Sequence, residues 1–445
     1  MGRIKGVATL ALLLYACAPL AMAESVNMTL DEGVRMALER NYTIEESEAD
    51  KDSAYWNLRR ARRQSGLNLS WSTGANRIGG KSYDERNTNR EFSNQVSLKY
   101  PLYSGGRIEN NIKAANLGLS GADLMLERTR QTVRNLVTRD YYNILKCQSQ
   151  VEVYQESVNN LQAHLDNVNS QVRAGTMAEK DILSSEVSLA RGKQYLVTAK
   201  NDYRVAIATF NNDVGLPTET DTKPQEKLTY ESYDKELTSC EEYAILNRPD
   251  LLQKEYAVRQ NKAGMEAAKA GYRPQVNAAV TRSIAGDSPF KNNVDNSDAW
   301  KIGVNADWNI FDNQITEADV NQKKAAVHRS EAELKDQLSK VKLEVRTAYL
   351  NLRAAEENIK TMREALAQAQ EDYRIETVRY NAGVGTNLEI MDAQDKLVSA
   401  KGDYITALYN YNVSRASLDA AMGIPVELDV APYREALENN NKKGE

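Results

Sequence analysis

At 445 residues, with 62 acidic against 57 basic side chains and a formal net charge of −5, the chain is too long for one small domain. It also has none of the basic excess that a nucleic acid partner would call for. Only 41% of residues are hydrophobic and four are Phe, so burial must be thin and spread along extended elements.

The first 23 residues carry Arg3 and Lys5, then the apolar run Val7 to Ala16, then Ala21-Met22-Ala23 before Glu24. This pattern predicts a secretory signal peptide over 1–23, whose apolar run is far short of the ~20 residues a spanning helix needs. Cleavage before Cys17, with lipid on that cysteine, is the competing reading; Tyr15 fits it poorly. Export would leave Cys147 and Cys240 where disulfides are permitted, although Cys147 on a long helix reads as a buried thiol.

Thr29 with Glu32 three residues on forms a capping box that starts a helix, with a break expected near Asn41. The helix then runs to the basic cluster Arg59, Arg60, Arg62 and Arg63, which suits a helix C-terminus. At Gly66 the period changes to two. Leu67, Leu69 and Trp71 alternate with polar residues, a loop is expected over 74–91, and Val96, Leu98, Tyr100 and Leu102 alternate with Gln95, Ser97 and Lys99. No proline then occurs between Pro101 and Pro217, so a helix from Gly106 to Val172, 67 residues and roughly 100 Å at 1.5 Å each, is unobstructed. Val151, Tyr154, Val158, Leu161, Leu165, Val168 and Val172 give it the 3-4 spacing of a coiled-coil seam. Arg173-Ala174-Gly175-Thr176 reads as the tip of an antiparallel hairpin.

The order then repeats. Thr238 or Ser239 is expected to cap a helix that Asn247-Arg248-Pro249 breaks. Strands follow at Val276 to Val280 and Ile302 to Ile310, around a loop expected over 283–299. A second proline-free tract carries the seam Ile359, Met362, Leu366, Ala369, Tyr373, Glu376 and Tyr380, each 208 residues after its counterpart. Its tip is Asn381 to Thr386. The chain is an internal duplication. Its division is read as 24–217 (first repeat), 218–237 (linker), 238–425 (second repeat) and 426–445 (tail). Strands apolar on one face, with Trp71, Tyr100, Tyr103, Trp300 and Trp308 near their ends, have the pattern of an outer-membrane barrel. Val96, Leu98, Val304 and Ala306 would face lipid, and Ser97, Lys99, Asn305 and Asp307 water.

In these pieces the chain resembles the TolC-type outer-membrane efflux channels. They are Val96 to Asn116 with its echo at Val304 to Asn321, the tip from Tyr380 through Gly383-Val384-Gly385 to Gln394, and Met422-Gly-Ile-Pro425 echoed by Val214-Gly-Leu-Pro217. The resemblance implies a mainly α chain with a small β part, whose long antiparallel coiled-coil hairpins form a trimeric helical tunnel. Four strands per copy would build a shared twelve-stranded outer-membrane barrel. The linker and tail would lie in an equatorial region. The implied homotrimer sits in outer-membrane lipid and docks a periplasmic adaptor and an inner-membrane pump as a passive exit duct. It implies that Glu389, Asp392 and Asp181 are acidic residues of the periplasmic aperture and that Tyr380 bonds the other hairpin. Gly385 stands where relatives carry Arg. The tips Ala174-Gly175-Thr176 and Ala382-Gly383-Val384 would receive the adaptor, or else serve only the turn. Stacked carboxylates at Glu389 and Asp392 are expected to raise one another's pKa and attract cations, with Asp181 accepting a hydrogen bond from Tyr380.

No catalytic constellation, phosphate loop or cofactor motif is present. His164 and His328 lie on helical arms without Cys or carboxylate at ligand spacing. A periplasmic adaptor or surface coiled-coil protein that binds without conducting is the alternative, and it would need no lipid-facing strands.

Overall fold

The computed structural model describes residues 26–78, 89–286 and 297–442. The leader and Cys17 lie outside these, as do the centres of both expected strand loops. Two compact units are formed, and each draws on both repeats. One runs up to Tyr42 and adds Val133–Tyr233 and Tyr349–Ser417; the other comprises Thr43–Thr132, Asp234–Ala348 and the chain from Leu418 on.

In the first unit, β1 (Val26–Met28) pairs in parallel with β4 (Thr222–Pro224). Helix α1 (Leu30–Arg40) starts at Thr29 with the full capping box and stops at Asn41. Gly33 lets it approach α4 (Glu179–Val214), since a Cβ there would lie 2.8 Å from the Phe210 ring. The rest of this unit is the distal part of α3 (Arg107–Arg173) with α4, and of α7 (Ile315–Asn381) with α8 (Asn387–Met422). Both long helices have 67 residues, and each end of α7 lies 208 positions after that of α3. The seam residues Val158, Leu161 and Leu165 pack on Leu189 and Leu196 of α4, so the heptad positions close the hairpin on itself.

In the second unit, α2 (Tyr42–Arg63) leads into a four-stranded antiparallel sheet of order β2-β3-β5-β6. The strands are β2 (Asn68–Ile78), β3 (Asn89–Tyr103), β5 (Gln275–Gly286) and β6 (Ser297–Asp307). The register aligns Leu69, Leu98, Val280 and Ile302 on one face, and Val96, Leu98, Val304 and Ala306 share it; Ser97, Lys99, Asn305 and Asp307 take the other. Both ends of the expected loops are strand, because paired backbone continues past the point where apolar alternation fades. Conversely β6 stops at Asp307, short of Ile310. After Asp312 the chain turns through Asn313 (φ 54°) and Gln314 (φ 68°), two left-handed residues where the first repeat has Gly105 and Gly106. Helix α5 (Leu237–Asn247) is entered at Glu236 with no side-chain cap, two or three residues before the expected cap at Thr238 or Ser239. Pro249 opens α6 (Pro249–Ala268), and α9 (Ala431–Lys442), an element with no strong sequence signal, lays Leu437 beside Leu117, Leu124, Leu252 and Tyr256. No helix among the described residues is long and apolar enough to cross a membrane.

Candidate aperture and latch at the hairpin tips

Both tips end their long helix with the same bonds. Gly175 N–H donates to the Val172 carbonyl and Thr176 N–H to that of Gln171; Gly383 and Val384 repeat this on Tyr380 and Arg379. Gly175 and Gly383 both sit at φ 75°, where a side chain is strained, so turn geometry alone explains these two glycines. Ala174, Thr176, Ala382 and Val384 are exposed around them. Gly385 has a different reason. A Cβ on it would stand 2.9 Å from the Tyr380 backbone nitrogen, which is why no arginine fits here.

Thr386 caps α8. Its N–H and hydroxyl donate to one Glu389 carboxylate oxygen at 2.8 and 3.0 Å, and Glu389 N–H returns to its hydroxyl at 3.2 Å. These bonds, the backbone one first, hold the Glu389 carboxyl below its ordinary pKa, with a lesser contribution from Arg379, 3.9 Å away. Asp392 pairs with Lys396 at 2.6 Å. Within one chain each carboxylate therefore faces a cation, and Glu389 shifts downward; the mutual raising expected above needs the rings that three copies would build.

Tyr380 is 4% exposed. Its hydroxyl donates to Met177 Sδ at 3.6 Å and not to Asp181, which corrects the expected pair. Burial, then the nearby Asp181 charge, raises its pKa. The residue that Tyr380 meets is His164, ring centroids 5.0 Å apart. His164 Nε2 in turn lies 2.6 Å from Asn387 Oδ1, while Asn387 Nδ2 donates to Ser185 Oγ and to the Asp181 carbonyl, both at 3.4 Å. Asp181 thus enters through its backbone. Val168, Ile182, Tyr373, Tyr380, Ile390 and Met391 form one apolar cluster beneath this network, joining the two hairpins. Ligand spacing gave His164 no role. The signal that marks it is the repeat itself: 208 residues on stands Asp372, and the counterpart of Asn387 is Glu179. Among the described residues no group of His, Cys, Asp or Glu could hold a metal ion.

The outer membrane efflux protein family model matches residues 33–215 and 242–424, one match for each repeat and together most of the chain. The chain belongs to the outer membrane efflux protein family. Among its relatives, the outer membrane protein TolC of Salmonella enteritidis is 28% identical over 211 residues, 44% of this chain and 41% of that protein. The match thus spans less than half of TolC's length. The cation efflux system protein CusC of Escherichia coli K12 is 22% identical over 76% of this chain and 74% of its own. The fold of this chain is also that of the Campylobacter jejuni CmeC outer membrane channel, with a TM-score of 0.78, 14% identity, and coverage of 92% of this chain and 88% of that one.

Proposed function

We propose that three copies of this chain form an outer-membrane exit duct that carries cargo from an inner-membrane pump and its periplasmic adaptor. The observation that carries this reading is the sheet. Four strands leave β2 and β6 with open edges and expose an apolar face on which Leu69, Ile302 and Val304 are 69%, 68% and 63% exposed. Such a face suits lipid, and open edges are closed when copies pair edge to edge. The adaptor would take the exposed tips, where Val384 and Leu388 are 70% and 78% exposed. Glu389, Asp392, Asp181 and Tyr380 would lie at the closed aperture, with His164 and Asn387 tying one hairpin to the other.

Detergent-solubilised protein should have the mass of three copies and conduct in planar bilayers; a monomer that conducts nothing rejects the duct. Tyr380→Phe or Asn387→Ala should raise single-channel conductance with cation preference unchanged. Glu389→Gln with Asp392→Asn should weaken cation preference and relieve block by multivalent cations. Retention of both in that double variant would remove these carboxylates from the aperture.

A further inference from the structure

The α3–α6 pairing inside the chain is a template for a contact that the chain cannot make with itself. Strand β3 pairs β5 with Val96 opposite Arg282 and Lys99 opposite Ala279. Beside them α3 packs on α6, where a Cβ on Gly118 would lie 3.0 Å from Gln260 Nε2 and one on Gly121 would lie 3.7 Å from Gln253 Cγ. The duplication maps α3 and β3 onto α7 and β6 by adding 208, and α6 and β5 onto α2 and β2 by subtracting 207. Those images are the two open sheet edges and the helices attached to them. Gly118–Gln260 becomes Ala326–Ser53, and Gly121–Gln253 becomes Arg329–Glu46. Seven residues further, two helical turns along the same antiparallel faces, Arg60 meets Asp319.

We infer that the solvent face of α2 on one copy docks on the solvent face of α7 on the next, clamped by Glu46 against Arg329 and Arg60 against Asp319. Strand β2 then meets β6 in the register Ala75 opposite Val304 and Ser72 opposite Asp307. The four charged residues are exposed in the single chain. Arg329 leans on Glu333 at 3.0 Å yet is 82% exposed at its side chain, and Arg60 reaches only as far as Asn57 at 2.9 Å. Trp56, 59% exposed on the same face between Ser53 and Arg60, falls opposite Gln322 and Lys323 in this register and between the two ion pairs, the arrangement of an aromatic anchor with a charged rim. The partner is a second copy of this chain, because the complementary charges are the chain's own and the open edges belong to the same two elements.

This inference rests on the trimeric reading, and the test separates the two. Ala75→Cys with Val304→Cys, and separately Ser72→Cys with Asp307→Cys, should give dimer and trimer bands on oxidation with copper phenanthroline, while each single cysteine should not. The two pairs lie three residues apart, so one is the close, non-hydrogen-bonded kind whichever phase the ladder takes. Glu46→Arg should speed trimer dissociation in dodecyl sulfate about tenfold, equivalent to about 1.4 kcal/mol, and adding Arg329→Glu should restore it. Cross-linking at neither pair, or no restoration by the charge swap, in protein whose mass shows three copies overturns the clamp and leaves the duct standing. A monomeric mass removes both.

Discussion

In the first repeat the Asp213 carbonyl, one residue before the end of α4, accepts a 2.8 Å hydrogen bond from Asn41. In the second, the Ala421 carbonyl, 208 residues on, accepts one of 3.1 Å from Arg248. The following glycines repeat too, Gly215 at φ 78° against Arg40 and Gly423 at φ 74° against Arg248. Around this shared joint the charge differs. Arg248, 1% exposed, bonds Asp250 twice and Glu344 at 2.5 Å; the first repeat has Thr43 and Leu136 in those acidic positions. It instead brings Asp140 up to Asp213. Burial first, then Asp213, pushes the Asp140 pKa up to about 7, as expected where two carboxyls share one proton. The second repeat has Ala348 and Ala421 there. One backbone joint is therefore made twice, once beside a buried cation and once beside a pair of carboxyls, and the backbone bond is what the two versions share.

The sharpest way to break this comparison is to remove the cation. Arg248→Met takes from Asp250 its two-bond cation, leaving Arg128 at 3.7 Å and Gln337 at 2.9 Å, and should cost about 3 kcal/mol, whereas Asn41→Ala loses one hydrogen bond and should cost about 1 kcal/mol. Equal shifts in denaturant midpoint would mean that the charges contribute nothing beyond the shared carbonyl bond.

A smaller effect is expected from the acid pair, and its sign is fixed by the direction of the shift. A carboxyl whose folded pKa lies above its unfolded value binds an extra proton in the native state, so it erodes stability as pH climbs from about 4 to about 7 and no further. Asp140→Asn should flatten that slope and gain about 1 to 2 kcal/mol at pH 8, a modest gain because the group is partly solvated. Thermal unfolding at pH 5 and pH 8 checks it. A gain at both pH values alike would assign the effect to packing.

The least effect belongs to the strand-to-helix junction. Gln314 holds φ 68° where its counterpart Gly106 holds 93°. Gln314→Gly should stabilise by about 1 kcal/mol and Gly106→Gln should destabilise by a similar amount, measured as midpoint shifts. If Gln314→Gly also destabilises, a side-chain contact holds that turn.

What could be read in advance follows the same division. Helix α3 was legible to within a residue because nothing in 67 positions interrupts it, and the capping box at Thr29 announced α1. The strand ends were not legible. Trp308 and Ile310 keep the apolar alternation after the ladder has stopped, and pairing continues past Gly74 and Ser283 where alternation weakens. At the tips the glycines were visible from local rules, but the latch joins His164 to Asn387 across 223 positions. Nothing local distinguishes His164 from any half-exposed helical residue. Comparison of the repeats does, since Asp372 and Glu179 could not make that bond.

The two 67-residue helices also limit how the hairpin arms can change in length. One residue inserted into a helix turns everything beyond it by about 100° and advances it by about 1.5 Å. The Val158, Leu161 and Leu165 stripe would then swing off Leu189 and Leu196, while Val168 would leave the cluster it shares with Tyr380 and Ile390. Two such displacements are undone together only by a full heptad added to every arm at once. Arm length in this architecture is thus a stepped quantity, shared by both repeats, and lengthening it for a taller periplasm would take four matched insertions.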